Sequence, residues 1–286
     1  MTVRLDSRLN AFRTDLADTR LKGRVKATRF TDGRPAYIDV PVCDVKNRPE
    51  ADAGVDTQFK LNERVTVFDE ADGWSWIQSN SDGYVGYVQS SSLTNGAPET
   101  STHRVTAPRT FCYPEPDLKS PCVATLSLGT EVCIVDRTET RGTPYVRMSS
   151  GLWIFERHLN AVESFSNDYV DVAESLLGTP YLWGGNSAFG IDCSGLVQLS
   201  MAMCGNTVLR DSDMQFETVG EAVDPSFGLQ RGDLIFWKGH VAIVRDAETI
   251  IHANAHTMSV AIEITQDAID RIAYLYAEPI GYKRPN

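Results

Sequence analysis

From about Tyr37 to His158 the sequence consists of short strand-like runs separated by turn residues. This pattern restricts the folds that this part of the chain can adopt. The runs are rich in β-branched and aromatic residues. Gly, Asp, Asn and Pro stand between them, which is the pattern of small all-β domains. Before this stretch, apolar residues recur at roughly helical spacing up to Gly23. We therefore predict a helical N-terminal segment followed by β-domains.

The β-rich stretch contains an internal repeat. "LNERVTVFDE" (61–70) aligns with "LGTEVCIVDR" (128–137), and "SDGYVGYVQSSSL" (81–93) aligns with "MSSGLWIFERHL" (148–159). Each unit covers about 60 residues, the size of a small β-barrel. The repeat therefore predicts two barrels in tandem.

The sequence pattern changes again after Glu163. "NDYVDVAESLLGTPYLWGG" and "CSGLVQLSMAMCG" each predict a helix that ends at a glycine. Strand-like runs follow at 233–238, 240–246 and 249–255, and helices followed by antiparallel strands indicate an α+β domain. The predicted divisions are a helical segment at 1–30, barrels at 31–96 and 103–160, and the α+β domain at 164–286.

The net negative charge limits the classes of partner that the protein can bind. The 286 residues carry a formal net charge of −11 and a pI near 4.9, which disfavours nucleic acid and anionic membranes. The N-terminal residues lack the uninterrupted apolar region of a signal peptide, and no stretch approaches the ~20 apolar residues of a membrane span. We expect a cytoplasmic protein with no nucleic-acid partner, no membrane partner and no obligate protein partner.

Cys193 stands in "GGNSAFGIDCSGLV" (184–197), a glycine-flanked turn before the second predicted helix. The six cysteines include no C-x-x-C pair, so we predict reduced thiols, and the other five are expected to be small buried hydrophobes. A helix N-terminus lowers the pKa of a thiol, and its N–H groups can hold an oxyanion. Cys193 is therefore a candidate nucleophile, although a structural role remains open on the residues alone.

His240 and His252 are the candidate partners of this cysteine. In adjacent antiparallel strands their side chains can face the same side of the sheet. We assign His240 as the base and His252 as its orienting partner, in the chain order found in papain-like enzymes. "HANAH" places His256 four residues after His252, but on a strand-like run without a glutamate between them. We therefore predict no metal and no organic cofactor.

Four blocks in order, "GTPYLWGGNSAFGIDCSGLV", "RDSDMQ", "GDLIFWKGHVAIV" and "IIHANA", resemble the catalytic domain of NlpC-type cysteine peptidases. The upstream "DGW…DGYVGYV" stretch resembles bacterial SH3-like domains. Together they are similar to the γ-D-glutamyl-L-diamino acid endopeptidases that process cell-wall stem peptides. The resemblance implies a papain-like catalytic domain after two SH3-like barrels, with Cys193, His240 and His252 as nucleophile, base and third polar residue.

The resemblance also implies further site residues. Tyr181 would help to bind the oxyanion, or would be a packed aromatic. Tyr84 and Glu63, in the first barrel, would confine the free amine of the substrate, or would be barrel surface. The implied pocket residues are Asp192, Ser194, Asp211 and Ser212. For the two aspartates among them, helix capping is the alternative role.

The resemblance therefore implies a cysteine endopeptidase. It would hydrolyse the γ-D-glutamyl–diamino acid bond of murein stem peptides with a free N-terminal L-Ala, and release L-Ala-γ-D-Glu during cell-wall peptide recycling. Two alternatives remain. The chain could be a catalytically inert murein-binding protein, although the presence of Cys193, His240 and His252 speaks against this. It could also be an acyltransferase, since a thioester on the same fold can transfer its acyl group to an amine or alcohol.

Overall fold

The computed structural model describes residues 5–285 and divides them into two compact units, one ending at Ser164 and the other beginning at Phe165. Within these residues the first unit is built from strands and short 3₁₀ turns, whereas the second combines a sheet with four α-helices. The chain is thus mixed α and β with few helices. None of the described helices is both long and apolar enough to cross a membrane.

The predicted helical segment at 1–30 has no α-helix in its described part, only the 3₁₀ turn Thr19–Leu21. Strands β1 (Leu16–Asp18) and β2 (Arg29–Thr31) lie there and pair in parallel, while residues 1–4 lie outside the described residues. The apolar side chains pack against aromatic residues of the first sheet instead of forming a helix face, because tertiary packing overrides weak local propensity. The shared buried cluster comprises Ala11, Leu16, Phe68 and Trp76.

Seven antiparallel strands form the first sheet, in the order β5-β4-β8-β7-β6-β3-β9. Asp72 and Gly73 form the two-residue turn between β6 and β7, with φ values of 51° and 79°, as Asp-Gly does in tight hairpins. The strands predicted in 61–70 and 81–93 are confirmed by β6 and β8. The strands are β3 (Arg34–Ile38), β4 (Val42–Lys46), β5 (Val55–Lys60), β6 (Arg64–Ala71), β7 (Trp74–Ser79), β8 (Val85–Gln89) and β9 (Leu93–Asn95).

Two smaller antiparallel sheets follow within the first unit, in the orders β12-β11-β16-β15-β14 and β13-β10-β17. They share one buried core, and Leu61 from the turn after β5 packs against that core. Asn62 Nδ2 donates to the Glu131 carbonyl oxygen at 2.9 Å, which ties these sheets to the first one. The strands are β10 (His103–Val105), β11 (Arg109–Tyr113), β12 (Ala124–Ser127), β13 (Glu131–Val132), β14 (Ile134–Thr140), β15 (Thr143–Met148), β16 (Trp153–Phe155) and β17 (Leu159–Ala161).

The second unit is built on a six-stranded antiparallel sheet in the order β20-β25-β21-β22-β23-β24, preceded by the short hairpin β18-β19. The three strands predicted at 233–238, 240–246 and 249–255 are confirmed by β21, β22 and β23. The strands are β18 (Asn186–Ser187), β19 (Gly190–Ile191), β20 (Glu221–Ala222), β21 (Leu234–Trp237), β22 (His240–Val244), β23 (Thr249–Asn254), β24 (Ser259–Ile264) and β25 (Gly281–Arg284).

Helix α2 is the structural centre of the second unit. Nine of its ten residues are buried, and it packs on β22 and β23, as expected for a helix that is enclosed on all sides. Both predicted helices are confirmed by α1 and α2. The helices are α1 (Tyr169–Ser175), α2 (Cys193–Ala202), α3 (Ser212–Thr218) and α4 (Thr265–Leu275).

All six cysteines are free thiols, as predicted. The expectation that five of them are buried holds for Cys43 and Cys112 but is wrong for the others. Cys122 is exposed in the turn before β12, and Cys133 and Cys204 are half-buried. Cys193 is 7% exposed.

Candidate active site

Cys193 is the first residue of α2, and Asp192 is the residue that caps this helix. The hairpin β18-β19 brings the backbone of Gly185 against the first turn of the helix. A Cβ on Gly195 would lie 2.3 Å from the Gly185 carbonyl oxygen, which is far inside contact distance. This close approach requires glycine at position 195 and explains part of the glycine-rich pattern around the cysteine.

The Cys193 sulfur accepts hydrogen bonds from the backbone N–H groups of Ser194 and Val241, and both lower the pKa of the thiol. Burial, followed by the nearby Asp192 carboxylate, acts in the opposite direction and raises this pKa to about 12. The expectation that the helix N-terminus depresses the pKa is therefore not met. Loss of water outweighs the N–H donors, so the thiol is neutral at rest.

His240 opens β22, directly before Val241, and its Nε2 lies 3.0 Å from Nδ1 of His252 on β23. Burial, and then the charges of His252 and Arg271, lower the pKa of His240 to about 3. Its imidazole is therefore neutral at neutral pH. Since Nε2 faces His252, Nδ1 is the ring nitrogen left to accept a proton.

Two residues that sequence reasoning missed extend this histidine pair. His252 Nε2 lies 3.1 Å from Glu263 Oε2, and Arg271 donates to both Glu263 oxygens at 3.0 and 2.6 Å. The hydrogen bond with His252, followed by those from Arg271, outweighs burial and lowers the pKa of Glu263 to about 2. Strand alternation could have placed Glu263 beside His252, but only once the register of β23 and β24 was known.

The Asp192 carboxylate is enclosed by donors. Oδ1 accepts from the N–H of Gly195 (2.7 Å) and from Arg210 Nη1 (2.9 Å), and Oδ2 accepts from the N–H of Gly184 (2.9 Å) and from Arg210 Nη2 (2.7 Å). Ser194 Oγ lies 2.8 Å from Arg210 Nη1 and 3.3 Å from Asp192 Oδ1. These contacts occupy both side chains, so they argue against the predicted pocket role of Asp192 and Ser194 and favour the capping alternative.

Tyr181 is half-buried and close to Cys193 and Asp192. Burial, followed by the charges of these two residues, raises the pKa of its phenol. The phenol of Tyr181 therefore keeps its proton at all physiological pH values.

The other predicted pocket residues lie apart from the sulfur's immediate contacts. Asp211 occupies the position before α3, although its side chain does not cap that helix, and Ser212 is the first residue of α3. Glu63 and Tyr84 belong to the first unit. Glu63 Oε1 pairs with Lys60 Nζ at 2.9 Å, and Tyr84 is 2% exposed. Their predicted contacts with substrate stay predictions.

The residues of this site are arranged for proton transfer. Both ring nitrogens of His252 are occupied, by His240 and by Glu263, so His252 has none left for a metal. Within residues 5–285, no three His, Cys, Asp or Glu side chains form a group that could hold a metal ion.

Two family models match the chain. The model of the bacterial dipeptidyl-peptidase Sh3 domain matches residues 45–93, and that of the NlpC/P60 family matches residues 178–273. Dipeptidyl-peptidase 6 of Lysinibacillus sphaericus is 27% identical over 86% of this chain and 96% of its own length. A γ-D-glutamyl-L-lysine dipeptidyl-peptidase of Bacillus cereus is 29% identical over 73% of this chain and 70% of its own.

A solved structure shares the fold along most of the chain. An NlpC/P60 family protein from Bacillus cereus superposes with a TM-score of 0.73 at 25% identity, and the match covers 88% of this chain and 99% of the other. The likeness therefore includes the first unit as well as the unit that holds Cys193.

Removing Arg210 tests whether the buried ion pair holds the turn before α2. In Arg210→Met the Asp192 carboxylate stays buried without its cationic partner, so we expect a loss of about 3–5 kcal/mol in the free energy of unfolding. Adding Asp192→Asn removes the unpaired charge and should recover part of this loss. Denaturant titrations of the variants measure both effects.

Arg231→Met is the matched control, because Arg231 is 37% exposed in its ion pairs with Asp168 and Asp171. Exposed pairs contribute little, so the expected loss is about 1 kcal/mol or less. Equal losses in Arg210→Met and Arg231→Met would contradict the anchoring role of Arg210.

Proposed function

Because this chain is a cysteine peptidase with an NlpC/P60 catalytic domain, we propose that it hydrolyses the γ-D-glutamyl–diamino acid bond of murein stem peptides. One observation carries the proposal: the Cys193 sulfur accepts from the N–H of Ser194 at the start of α2 and from the N–H of Val241, the residue after His240, whose Nε2 pairs with His252. Relatives named for γ-D-glutamyl-L-lysine cleavage support this class of substrate.

The reaction proceeds through a thioester on Cys193. The sulfur attacks the γ-carbonyl carbon of D-glutamate while Nδ1 of His240 accepts the thiol proton. The tetrahedral intermediate then expels the amine of the diamino acid, which takes this proton from His240. Water, deprotonated by His240, attacks the thioester carbon, and the C–S bond breaks. The Cys193 thiolate leaves and takes the proton back from His240, and L-Ala-γ-D-Glu is released.

The charge that develops on the carbonyl oxygen is stabilised by donors at the start of α2. The backbone N–H of Cys193 is one donor. The phenol of Tyr181 is the second, since burial keeps it protonated and it lies close to the sulfur.

The substrate has a free N-terminal L-Ala. We assign recognition of the substrate ammonium to the residues that the resemblance implies, Glu63 and Tyr84 among them. The stem peptide has this free amine only after it has been cut from the glycan, where the same nitrogen is an amide. The enzyme therefore acts in the recycling of released peptides.

The same proposal assigns a domain to each part of the chain. The first unit would contain two SH3-like barrels, at 31–96 and 103–160, and residues 164–286 would form a papain-like catalytic domain. The match of the Sh3 model to residues 45–93 supports the first barrel. The separate core shared by the two smaller sheets supports the second.

The tripeptide L-Ala-γ-D-Glu-meso-diaminopimelate tests the bond and the nucleophile together. We expect wild type to release L-Ala-γ-D-Glu, and Cys193→Ala to be at least about 10³-fold slower because no thioester can form. Cys204→Ala, which changes a half-buried thiol just after α2, should keep the wild-type rate. Mass spectrometry of the products measures all three proteins and separates hydrolysis from acyl transfer to an amine.

The N-acetylated tripeptide tests recognition of the amine. Acetylation removes the ammonium, so cleavage should fall by at least about 10-fold. Equal rates on the two peptides would contradict amine recognition, and turnover by Cys193→Ala would contradict the assigned nucleophile.

The pH profile tests the resting state of His240. Only neutral His240 can accept the thiol proton. Burial lowers its pKa to about 3, so the acidic limb of kcat/KM should lie well below the ordinary histidine pKa of 6.5. The measurement is kcat/KM for the tripeptide from about pH 4 to about pH 9. An acidic limb at or above an apparent pKa of 6.5 would contradict a neutral, buried base.

Folding must be followed in the same experiment. The pKa of His240 is lower in the folded than in the unfolded state, so its contribution to stability is present above 6.5 and is lost as the pH falls towards about 3. Circular dichroism at each pH separates loss of folded protein from loss of the base.

A further inference from the structure

We propose that Glu263 and Arg271 are positioning residues that select the one tautomer of the two histidines in which His240 can take the thiol proton. The inference rests on the proposed roles of Cys193 and His240. It concerns two residues outside the predicted catalytic set.

The four side chains form one continuous chain of hydrogen bonds across four elements, β22, β23, β24 and α4. His240 Nε2 and His252 Nδ1 are 3.0 Å apart, and His252 Nε2 and Glu263 Oε2 are 3.1 Å apart. Arg271, on α4, holds Glu263 through both carboxylate oxygens. The side chains of His252, Glu263 and Arg271 are 0%, 19% and 21% exposed, so water competes little for these bonds.

The Glu263 carboxylate fixes which ring nitrogen carries the proton in each histidine of this hydrogen-bond chain. An ionised carboxylate can only accept hydrogen bonds, so the proton of neutral His252 must be on Nε2. Its Nδ1 then carries no proton and accepts from Nε2–H of His240. Neutral His240 in turn has no proton on Nδ1, and this nitrogen can accept the proton of Cys193.

The opposite arrangement would prevent catalysis. If Nε2 of His252 accepted a hydrogen bond, its proton would be on Nδ1 and would be donated to Nε2 of His240. Nδ1 of His240 would then carry a proton and could not act as the base. A neutral donor in place of Glu263 stabilises this inactive arrangement.

Arg271 acts through Glu263. Its two hydrogen bonds keep the carboxylate ionised and oriented, and they help to lower the pKa of Glu263 to about 2. Without this guanidinium the carboxylate would rotate more freely and protonate more easily. The effect of Arg271 on the reaction should therefore depend on the presence of Glu263.

Glu263→Gln is the decisive variant, because its NH₂ group can donate to Nε2 of His252. We expect kcat to fall by about 10-fold or more, with KM changed by no more than about two-fold. The loss should be smaller than the roughly 10⁴-fold effect of disabling the carboxylate that orients the histidine of a serine protease directly. Glu248→Gln, in the exposed turn before β23, is the matched control and should keep the wild-type kcat.

¹⁵N NMR of the histidine rings reads the tautomer directly. In wild type we expect the protons of His240 and His252 on Nε2, and in Glu263→Gln a substantial population with both protons on Nδ1. Signals are assigned from single His→Gln variants. An unchanged tautomer together with an unchanged kcat in Glu263→Gln would overturn the proposal.

Alkylation of Cys193 by iodoacetamide gives a second readout that does not depend on the peptide substrate. Its rate, followed by mass spectrometry of the Cys193 peptide, should fall in Glu263→Gln because His240 no longer promotes the thiolate. If wild type fails to cleave the tripeptide but both readouts respond to Glu263→Gln, the substrate assignment fails and the tautomer proposal stands.

A double-mutant cycle separates positioning from general stability. Arg271→Gln should slow the reaction, Arg271→Lys should slow it less, and Arg271→Gln should add nothing in the Glu263→Gln background. Full additivity would overturn the proposed path through Glu263. Thermal unfolding of each variant verifies that it is folded, and the Arg271 variants decide the question if Glu263→Gln does not fold.

Discussion

The buried ion pair between Asp192 and Arg210 is the interaction on which the rest of the site depends. The two carboxylate oxygens of Asp192 accept hydrogen bonds from Arg210, from the N–H of Gly184 before the cysteine and from the N–H of Gly195 in the first turn of α2. A single side chain therefore fixes where α2 begins and how the preceding turn meets it. Because Cys193 is the next residue, the position of the sulfur relative to β22 follows from this pair.

A second constraint is that the site excludes water before substrate arrives. Burial disfavours both the Cys193 thiolate and the His240 imidazolium, so these two groups rest in their neutral forms. Formation of a thiolate and an imidazolium is then favourable only where hydrogen-bond donors already point at the developing negative charge. The charged side chains are the neighbours of these two groups, and each of them is paired. Asp192 forms an ion pair with Arg210, and Glu263 forms an ion pair with Arg271.

Local pattern was sufficient for α1, α2 and the strands of the second unit, because turn glycines and apolar periodicity are encoded within a few residues of each element. It could not reveal contacts that depend on a partner elsewhere in the sequence. The resemblance implied a pocket role for Asp192, and its ion pair with Arg210, 18 residues later, has no signal in the local pattern. Glu263 and Arg271 were missed for the same reason. Residues 5–30 form no α-helix because Leu16 packs against aromatic residues of the first sheet instead.

Because the Cys193 thiol is neutral at rest, the protein should resist oxidation at this residue. Peroxide reacts with thiolates, and the most reactive cysteines are acidic and exposed to water. Cys193 is neither, whereas Cys122 lies open on the surface. In the proposed mechanism oxidation of Cys193 would end activity, and burial keeps this thiol protonated, and so slow to oxidise, until His240 accepts its proton.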